Sequence, residues 1–392
     1  MRGGWSIVLF LLAVMACGPR EKPFAPFALP KVKNVVLISI DTLRADHVGV
    51  YGYKKKTTPN IDRLAAQSLR FAQAYSSSNW TLPAHAGMMT GLMSTGHGAI
   101  ERQDAIRAEA PVLAERLSAA GLATAAFTSH VYVSDRFGFE RGFQTFDYKQ
   151  SAPGNEVTDK ALRWLDGPRG GKNFFLFLHY FDVHLPYGKP YAPVKRFVSS
   201  PECRGPIQWG TLAATAVARE WNRLPCFQEL YDADIAFVDE QVGRMIDHLK
   251  QAGVFDDTLI IVTSDHGELF GEHNGAGHGL TMFDPEIRVP LIVRFPRGAG
   301  GPAVVSSLVS TIQLAPTIME ALGLPPFATD LPGLSALLTG RGKGLAWLAA
   351  ESNKTGQDEI AVIDQRFKAV LPPTHELQGV SISPALFDRL LD

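Results

Sequence analysis

The chain has 392 residues, of which 46% are hydrophobic and 20% charged, with a formal net charge of −1. That length is long for one domain and short for three, and the composition suffices for a sizeable core. Near-neutral charge excludes a general electrostatic attraction to nucleic acid or to an acidic membrane surface, and no repeat or low-complexity tract is present.

At the amino end, Arg2 precedes an apolar run from Ile7 to Val14 that is too short to span a bilayer. Val14-Met15-Ala16-Cys17 follows and resembles a bacterial lipoprotein cleavage box. Residues 1–17 therefore read as a signal peptide, with Cys17 as the lipidation site, and the Pro-rich residues 18–32 read as a tether. An ordinary secretory signal with an incidental cysteine is the other reading. Acylation of Cys17 would anchor the protein to a membrane without spanning it, in a bacterial cell envelope on the periplasmic or extracellular face.

The next elements are an apolar strand over Val35–Ile40, broken only by Ser39, and helical spacing at Ile61, Leu64 and Ala65. Pro83 suits the first turn of a helix running to about Thr90. Ala110–Ala120 reads as a helix, and Leu122–Phe127 and Phe174–His179 as strands. An insert over about 199–226 holds Cys203 and Cys226 with Gly205, Pro206 and Pro225. A disulfide between them suits an oxidising compartment; two free thiols are the alternative. Val238, Val242, Ile246 and Leu249 mark one face of a long helix. Leu259–Thr263 and Pro290–Phe295 read as buried strands, and Gln313–Leu322 as a helix. Ala361–Ile363 and Phe367–Leu371 read as short strands around a turn. Apolar strands alternating with helices predict an α/β sandwich with a mostly parallel central sheet.

In such sheets, reactive groups gather at the carboxyl ends of the strands. Asp41 directly follows the first strand, Asp265 and His266 follow Leu259–Thr263, and Thr81 precedes a helix, so all four are expected at one sheet edge. Each alone has a bland explanation, such as an Asp that forms a turn or caps a helix. Together, the segments IDTLRADHVGVYGY, TTPNIDRLA, WTLPAHAGMMTG, VTSDHGELFGEH and IRVPLIV stand in the order and spacing of the sulfatase family. The chain resembles that family, within the alkaline phosphatase superfamily, over roughly residues 33–372.

The resemblance implies an alkaline-phosphatase-like catalytic domain over 33–335 and a small antiparallel subdomain over 336–392, with AVIDQRFKAVL as its strand pair. It also implies one divalent cation held by Asp41, Asp265, His266 and the Thr81 oxygen. Carboxylates with an imidazole suit Mg²⁺, Mn²⁺ or Zn²⁺. Ca²⁺ is disfavoured, because Thr42 stands where calcium-type members carry a second Asp, and His266 where they often carry Asn. A two-metal site is the lesser alternative and would draw on Asp182, His184 and His278. Aligned through Pro83 and Thr90-Gly91, Thr81 falls on the family's nucleophile and His85 on its arginine. His184 falls on a substrate-contacting His, and His278 falls near the catalytic Lys. His130 and Ser129 fall near a second, missing Lys at the substrate. His179 reads as a packed neighbour of the site, and His97 and His273 as loop residues.

Sulfatases oxidise a Cys or Ser nucleophile to an aldehyde. The methyl group on the Cβ of Thr81 limits oxidation there to a ketone, so its nucleophile is a plain hydroxyl. A sulfo-threonine is hard to hydrolyse at sulfur, whereas a phospho-threonine can be hydrolysed at phosphorus with metal and electrostatic help. The expected activity is hydrolysis of sulfate or phosphate esters of a small molecule, glycan or lipid. A phospho-headgroup transferase acting on an envelope lipid or glycan, and a binding protein with a dead site, are the other readings.

Overall fold

The computed structural model describes residues 22–199, 203, 224–352, 359–371 and 385–388. Cys17 lies outside them, as does most of the 199–226 insert. Strands are β1 Asn34–Ile40, β2 Leu69–Tyr75, β3 Ala123–Thr128, β4 Thr145–Tyr148, β5 Phe174–Tyr180, β6 Thr258–Thr263, β7 Leu269–Phe270, β8 Ala276–Gly277, β9 Leu291–Arg294, β10 Ala303–Ser310, β11 Trp347–Ser352, β12 Glu359–Asp364, β13 Phe367–Leu371 and β14 Ala385–Asp388. Eight of them form one sheet in the order β10-β2-β9-β6-β1-β5-β3-β4. β1 pairs in parallel with β5 and β6, while β9 runs antiparallel to both β2 and β6. The sheet is thus mostly parallel, as expected, with one reversed strand. The apolar run over Pro290–Phe295 carries no information about strand direction.

Both faces of the sheet are covered, and the period-2 geometry of a strand explains why β1 is apolar at nearly every position. Val36, Ile38 and Ile40 join one core with Ile61, Leu64, Trp164, Val238, Val242 and Leu249. Val35 and Leu37 face the opposite way, into a core with Leu82, Met88, Leu117, Leu314 and Ile318. Helices Pro59–Ala65, Gly154–Asp166 and Leu224–Gln251 cover the first face. Helices Thr81–Thr90, Leu113–Ala119 and Leu314–Ala321 cover the second. No described helix is long and apolar enough to cross a membrane.

Strands β11–β14 make a second, antiparallel sheet, with Val362 opposite Ala369 in its central pair. It packs on the main body through Leu348, Ala350, Ala361 and Ile363 against Tyr75, Met282, Ile287 and Leu308. Cys203 and Cys226 are disulfide-bonded with a Cα–Cα distance of 5.0 Å.

Residues 22–32 do not behave as a tether. Phe24 N donates to Val304 O at 3.1 Å, Val304 N donates to Lys22 O at 3.1 Å, and the Phe27 ring meets Phe295 edge-on at 5.6 Å. Two Phe side chains within a Pro-rich stretch gain more from burial against the sheet edge than from solvation.

One buried carboxyl makes the fold sensitive to pH. Asp234, in the long helix, accepts Gly188 N–H at 2.8 Å and Lys189 N–H at 2.9 Å. Burial pushes it up to about 7, against the Lys189 charge and these two bonds, with Asp182 adding to the rise. Its folded value therefore exceeds the ordinary carboxylate value of about 3.9. The associated stability is complete below that value and is lost as pH rises towards 7. The urea midpoint of the wild type should fall between pH 5 and 8, and that of Asp234→Asn should fall less. Equal slopes for the two proteins would contradict the assignment.

Candidate active site

Three chain segments converge at the carboxyl edge of the main sheet. Asp41 leaves β1 with its N–H on Tyr180 O at 2.9 Å, and the chain then turns sharply through Thr42 at φ 57°. A β-branched residue in the left-handed region is strained, so the surroundings must hold it there. Tyr231 OH donates to Thr42 O at 2.7 Å, and Thr42 N donates to Asp265 Oδ1 at 3.3 Å. Beside it, the Ser264 hydroxyl lies 2.6 Å from both the Ile40 and His266 carbonyls, tying the ends of β1 and β6 together. The third segment is the helix Thr81–Thr90, with Pro83 in its first turn as expected. Extended Trp80, 1% exposed, precedes it and packs edge-on against Tyr132 at 5.4 Å. Thr81 thus sits in the first turn, where backbone N–H groups and the helix dipole favour an anion.

Asp41, Asp265 and His266 are fully buried, and one donor atom from each lies within 4.8 Å of the others. His266 Nδ1 is 2.9 Å from Gly267 O, an acceptor, so Nδ1 carries the proton and Nε2 turns its lone pair inward. That nitrogen lies 3.3 Å from Asp265 Oδ2, 4.0 Å from Asp41 Oδ1 and 3.4 Å from Thr81 Oγ1. Burial first, and then the Asp41 charge, hold the Asp265 carboxyl well above the usual range. Its Oδ2 is buried and accepts no hydrogen bond. Two facing carboxylates, an orphaned oxygen and an inward imidazole lone pair form a donor set that fits a divalent cation. For a second metal the structure offers no support among the described residues, where no other cluster of His, Cys, Asp or Glu has ligand spacing. Asp182 instead accepts Gly154 N–H at 2.9 Å and Tyr191 O–H at 2.8 Å.

Beneath the cluster, His85 Nδ1 is 2.9 Å from Thr81 O, and its Nε2 is 2.9 Å from Ser39 Oγ. Asp265 Oδ2 lies 3.4 Å from Nδ1, but the proton of that nitrogen goes to Thr81 O, so the three groups do not form a Ser-His-Asp triad. All three residues are 0% exposed, so no substrate reaches Ser39. The arrangement instead holds the Thr81 backbone. Burial, then His179, depresses His85 well below the ordinary imidazole value, so the ring is neutral. His179 Nε2 donates to Asp41 Oδ2 at 3.2 Å, and burial pushes its pKa down to about 3.

Above the cluster, a row of rings leads outward. His278 lies 4.5 Å from His266 and 4.9 Å from His184, centre to centre, and Phe181 stacks on His184 and His130 at 4.3 Å each. His278 Nδ1 is 3.0 Å from Glu268 Oε1, and Glu268 Oε2 accepts Tyr187 O–H at 2.7 Å. His184 Nδ1 donates to Leu185 O at 2.7 Å. Burial, then His278, holds His184 well below its ordinary value, leaving Nε2 as an acceptor.

Most residues marked in the sequence therefore meet in one place. Ser129 is buried beside them, with its hydroxyl donating to His179 O at 2.8 Å. His130 lies at the outer end of the row. His97 and His273 stay outside the cluster. Ser39, Glu268 and Tyr187 also belong to the site. Ser39 signalled itself as the one polar residue in an apolar run, and Glu268 by standing two residues after His266.

The family model described as Sulfatase matches residues 33–324, and this chain belongs to the sulfatase family. It is 27% identical over 364 residues to the uncharacterized sulfatase YidJ of Escherichia coli, covering 80% of this chain and 72% of that one. It is 26% identical over 369 residues to human arylsulfatase A, covering 81% and 70% of the two chains. The phosphonate monoester hydrolase of Agrobacterium radiobacter shares the fold with a TM-score of 0.74 at 22% identity, over 92% of this chain and 90% of that chain. The chain is accordingly a hydrolase acting on sulfate or phosphate esters.

Proposed function

We propose that the protein is a metal-dependent ester hydrolase in which the unmodified Thr81 hydroxyl is the nucleophile, acting by preference at phosphorus. The observation that carries this reading is Thr81 Oγ1 at 3.4 Å from His266 Nε2, beside the two carboxylates and at a helix start. Asp41, Asp265, His266 and Thr81 would hold one divalent cation, Mn²⁺, Zn²⁺ or Mg²⁺. When bound, it would supply charge that favours the Thr81 alkoxide and polarises a nonbridging ester oxygen.

Thr81 Oγ, its proton released to solvent before the ester binds, forms the bond to phosphorus as the ester P–O bond breaks. The electron pair of that bond leaves on the alcohol oxygen. His278 Nε2–H donates a proton to that oxygen, and Glu268 holds the ring through Nδ1. His184 Nε2, kept as an acceptor, then takes a proton from the water that attacks the phospho-threonine; the Thr81–phosphorus bond breaks with its electron pair returning to Thr81 Oγ, phosphate leaves, and the proton on His184 passes to the neighbouring His278, restoring the acid. His130 lies where the alcohol portion of the substrate enters. The neutral His85 and His179 keep Thr81 and Asp41 in place.

The testing experiment is a panel of aryl sulfate, phosphate monoester, phosphodiester and phosphonate substrates with Mn²⁺, Zn²⁺ and Mg²⁺. Phosphorus esters should turn over fastest. Faster turnover of the sulfate ester ends the phosphorus preference and leaves the family intact. Location in the envelope through a lipid on Cys17 is part of the same proposal. It is motivated by the Val14–Cys17 box and refuted by an intact mass showing an unmodified Cys17.

A further inference from the structure

We infer that Lys368, in the small C-terminal sheet, is a positioning residue for proton donation by His278, acting through the segment Asp284–Ile287. The inference rests on the reading of His278 as the acid.

Lys368 lies in β13 with its side chain 0% exposed, and its ammonium pairs with Asp284 Oδ1. Tyr75 OH, at the end of β2, donates to Asp284 Oδ2 at 3.2 Å. A buried ammonium needs such a partner, so the sheet cannot shift without moving Asp284.

Asp284 opens a single helical turn that holds both active-site loops. Its backbone carbonyls take the loop that follows the cation-facing imidazole: Gly267 N donates to Glu286 O at 2.6 Å, and Glu268 N to Pro285 O at 3.0 Å. The approach is so close that a Cβ on Gly267 would stand 2.0 Å from Pro285 O. The Glu286 side chain, 0% exposed, takes the loop that follows His278. It accepts Gly279 N–H at 2.6 Å, Leu280 N–H at 3.2 Å, Thr281 N–H at 3.0 Å and Thr281 O–H at 2.5 Å. Glu268 and His278, ten residues apart, are thus both hung on this turn, and they bond to each other at 3.0 Å. Thr281 O in turn accepts Asn79 N–H at 2.7 Å, two residues before Thr81. Removing the Lys368 charge releases the ion pair by which the second sheet holds Asp284, leaving the apolar contacts of Leu348, Ala350, Ala361 and Ile363 with Met282 and Ile287.

A role in positioning differs from a role in stability by its dependence on the leaving group. A 4-nitrophenolate leaves without a proton, whereas a methoxide does not. Lys368→Met keeps the apolar stem, and Lys368→Met with Asp284→Asn leaves no unpaired buried charge if the single variant fails to fold. In either, kcat for a methyl phosphate ester should fall roughly 100-fold, the scale of an error of about 1 Å in placement. The 4-nitrophenyl ester should fall less than about threefold on the same scale, with KM and bound metal unchanged. Lys368→Arg should recover most of the loss. In a His278→Ala background, Lys368→Met should cost nothing further on the methyl ester. Equal losses on both esters, or additive losses with His278→Ala, would overturn the proposal. If His278→Ala itself shows no preference between leaving groups, the assignment of the acid fails instead.

Discussion

Thr81→Ala is expected to lower kcat towards every phosphorus ester by on the order of 10⁴- to 10⁶-fold, the scale seen when an enzyme loses its nucleophile. The hydroxyl is the atom that forms the covalent bond, and no other described hydroxyl faces the carboxylate cluster from a helix start. Ser39 is sealed under His85 and cannot replace it. The fold should survive, because Ala fits the first turn of a helix and the site loses only one long contact, 3.4 Å to His266 Nε2. Thr81→Ser keeps the hydroxyl and should retain most of the rate. Single-turnover quenching of the wild type should capture phosphate on Thr81. Turnover of Thr81→Ala within tenfold of wild type would remove the nucleophile from the mechanism.

Asp265→Asn should abolish stoichiometric metal binding and raise the metal dissociation constant at least about 100-fold, more than is typical for a residue that merely supports a ligand. Asn keeps the shape but removes one of the two facing charges, and its amide N–H₂ points a donor where a cation would sit. The change can be read without activity. Saturating metal at about 100 times its dissociation constant adds roughly 2.7 kcal/mol to a folded protein. The wild type should therefore melt several degrees higher with metal than without, and Asp265→Asn should not respond. An equal response in both proteins would show that the cation binds elsewhere.

The extent to which the site could be read from sequence follows from the range of its interactions. Asp41, Thr81, Asp265 and His266 each stand at the end of a strand or the start of a helix, positions that local pattern reveals. What connects them is not local. Ser39 finds His85 across 46 residues, and Asp41 finds His179 across 138. His179 sits in the apolar run of β5, where alternation places it against the site but does not name its partner. Strands β2 and β10 are not legible in the sequence because they are only partly buried and carry polar residues, so they lack the continuous apolar character that marks β1 and β6. The reversed β9 and the docking of residues 22–32 are properties of the assembled sheet, and no window of sequence contains them.

That docking has a geographical consequence. β10 is parallel to β2, β2 and β6 both oppose β9, and β6 is parallel to β1, so β10 and β1 point the same way. Pro23 bridges to Val304, near the beginning of β10, whereas Asp41 lies just past the end of β1. The chain therefore enters the body at the pole opposite the catalytic mouth, a strand's length of roughly 25 Å away at about 3.3 Å per residue. Any surface that held the amino terminus would look at the back of the enzyme, and the mouth would open towards the surrounding fluid. Such an orientation would suit esters that arrive dissolved, and would disfavour headgroups in any leaflet that held the amino terminus.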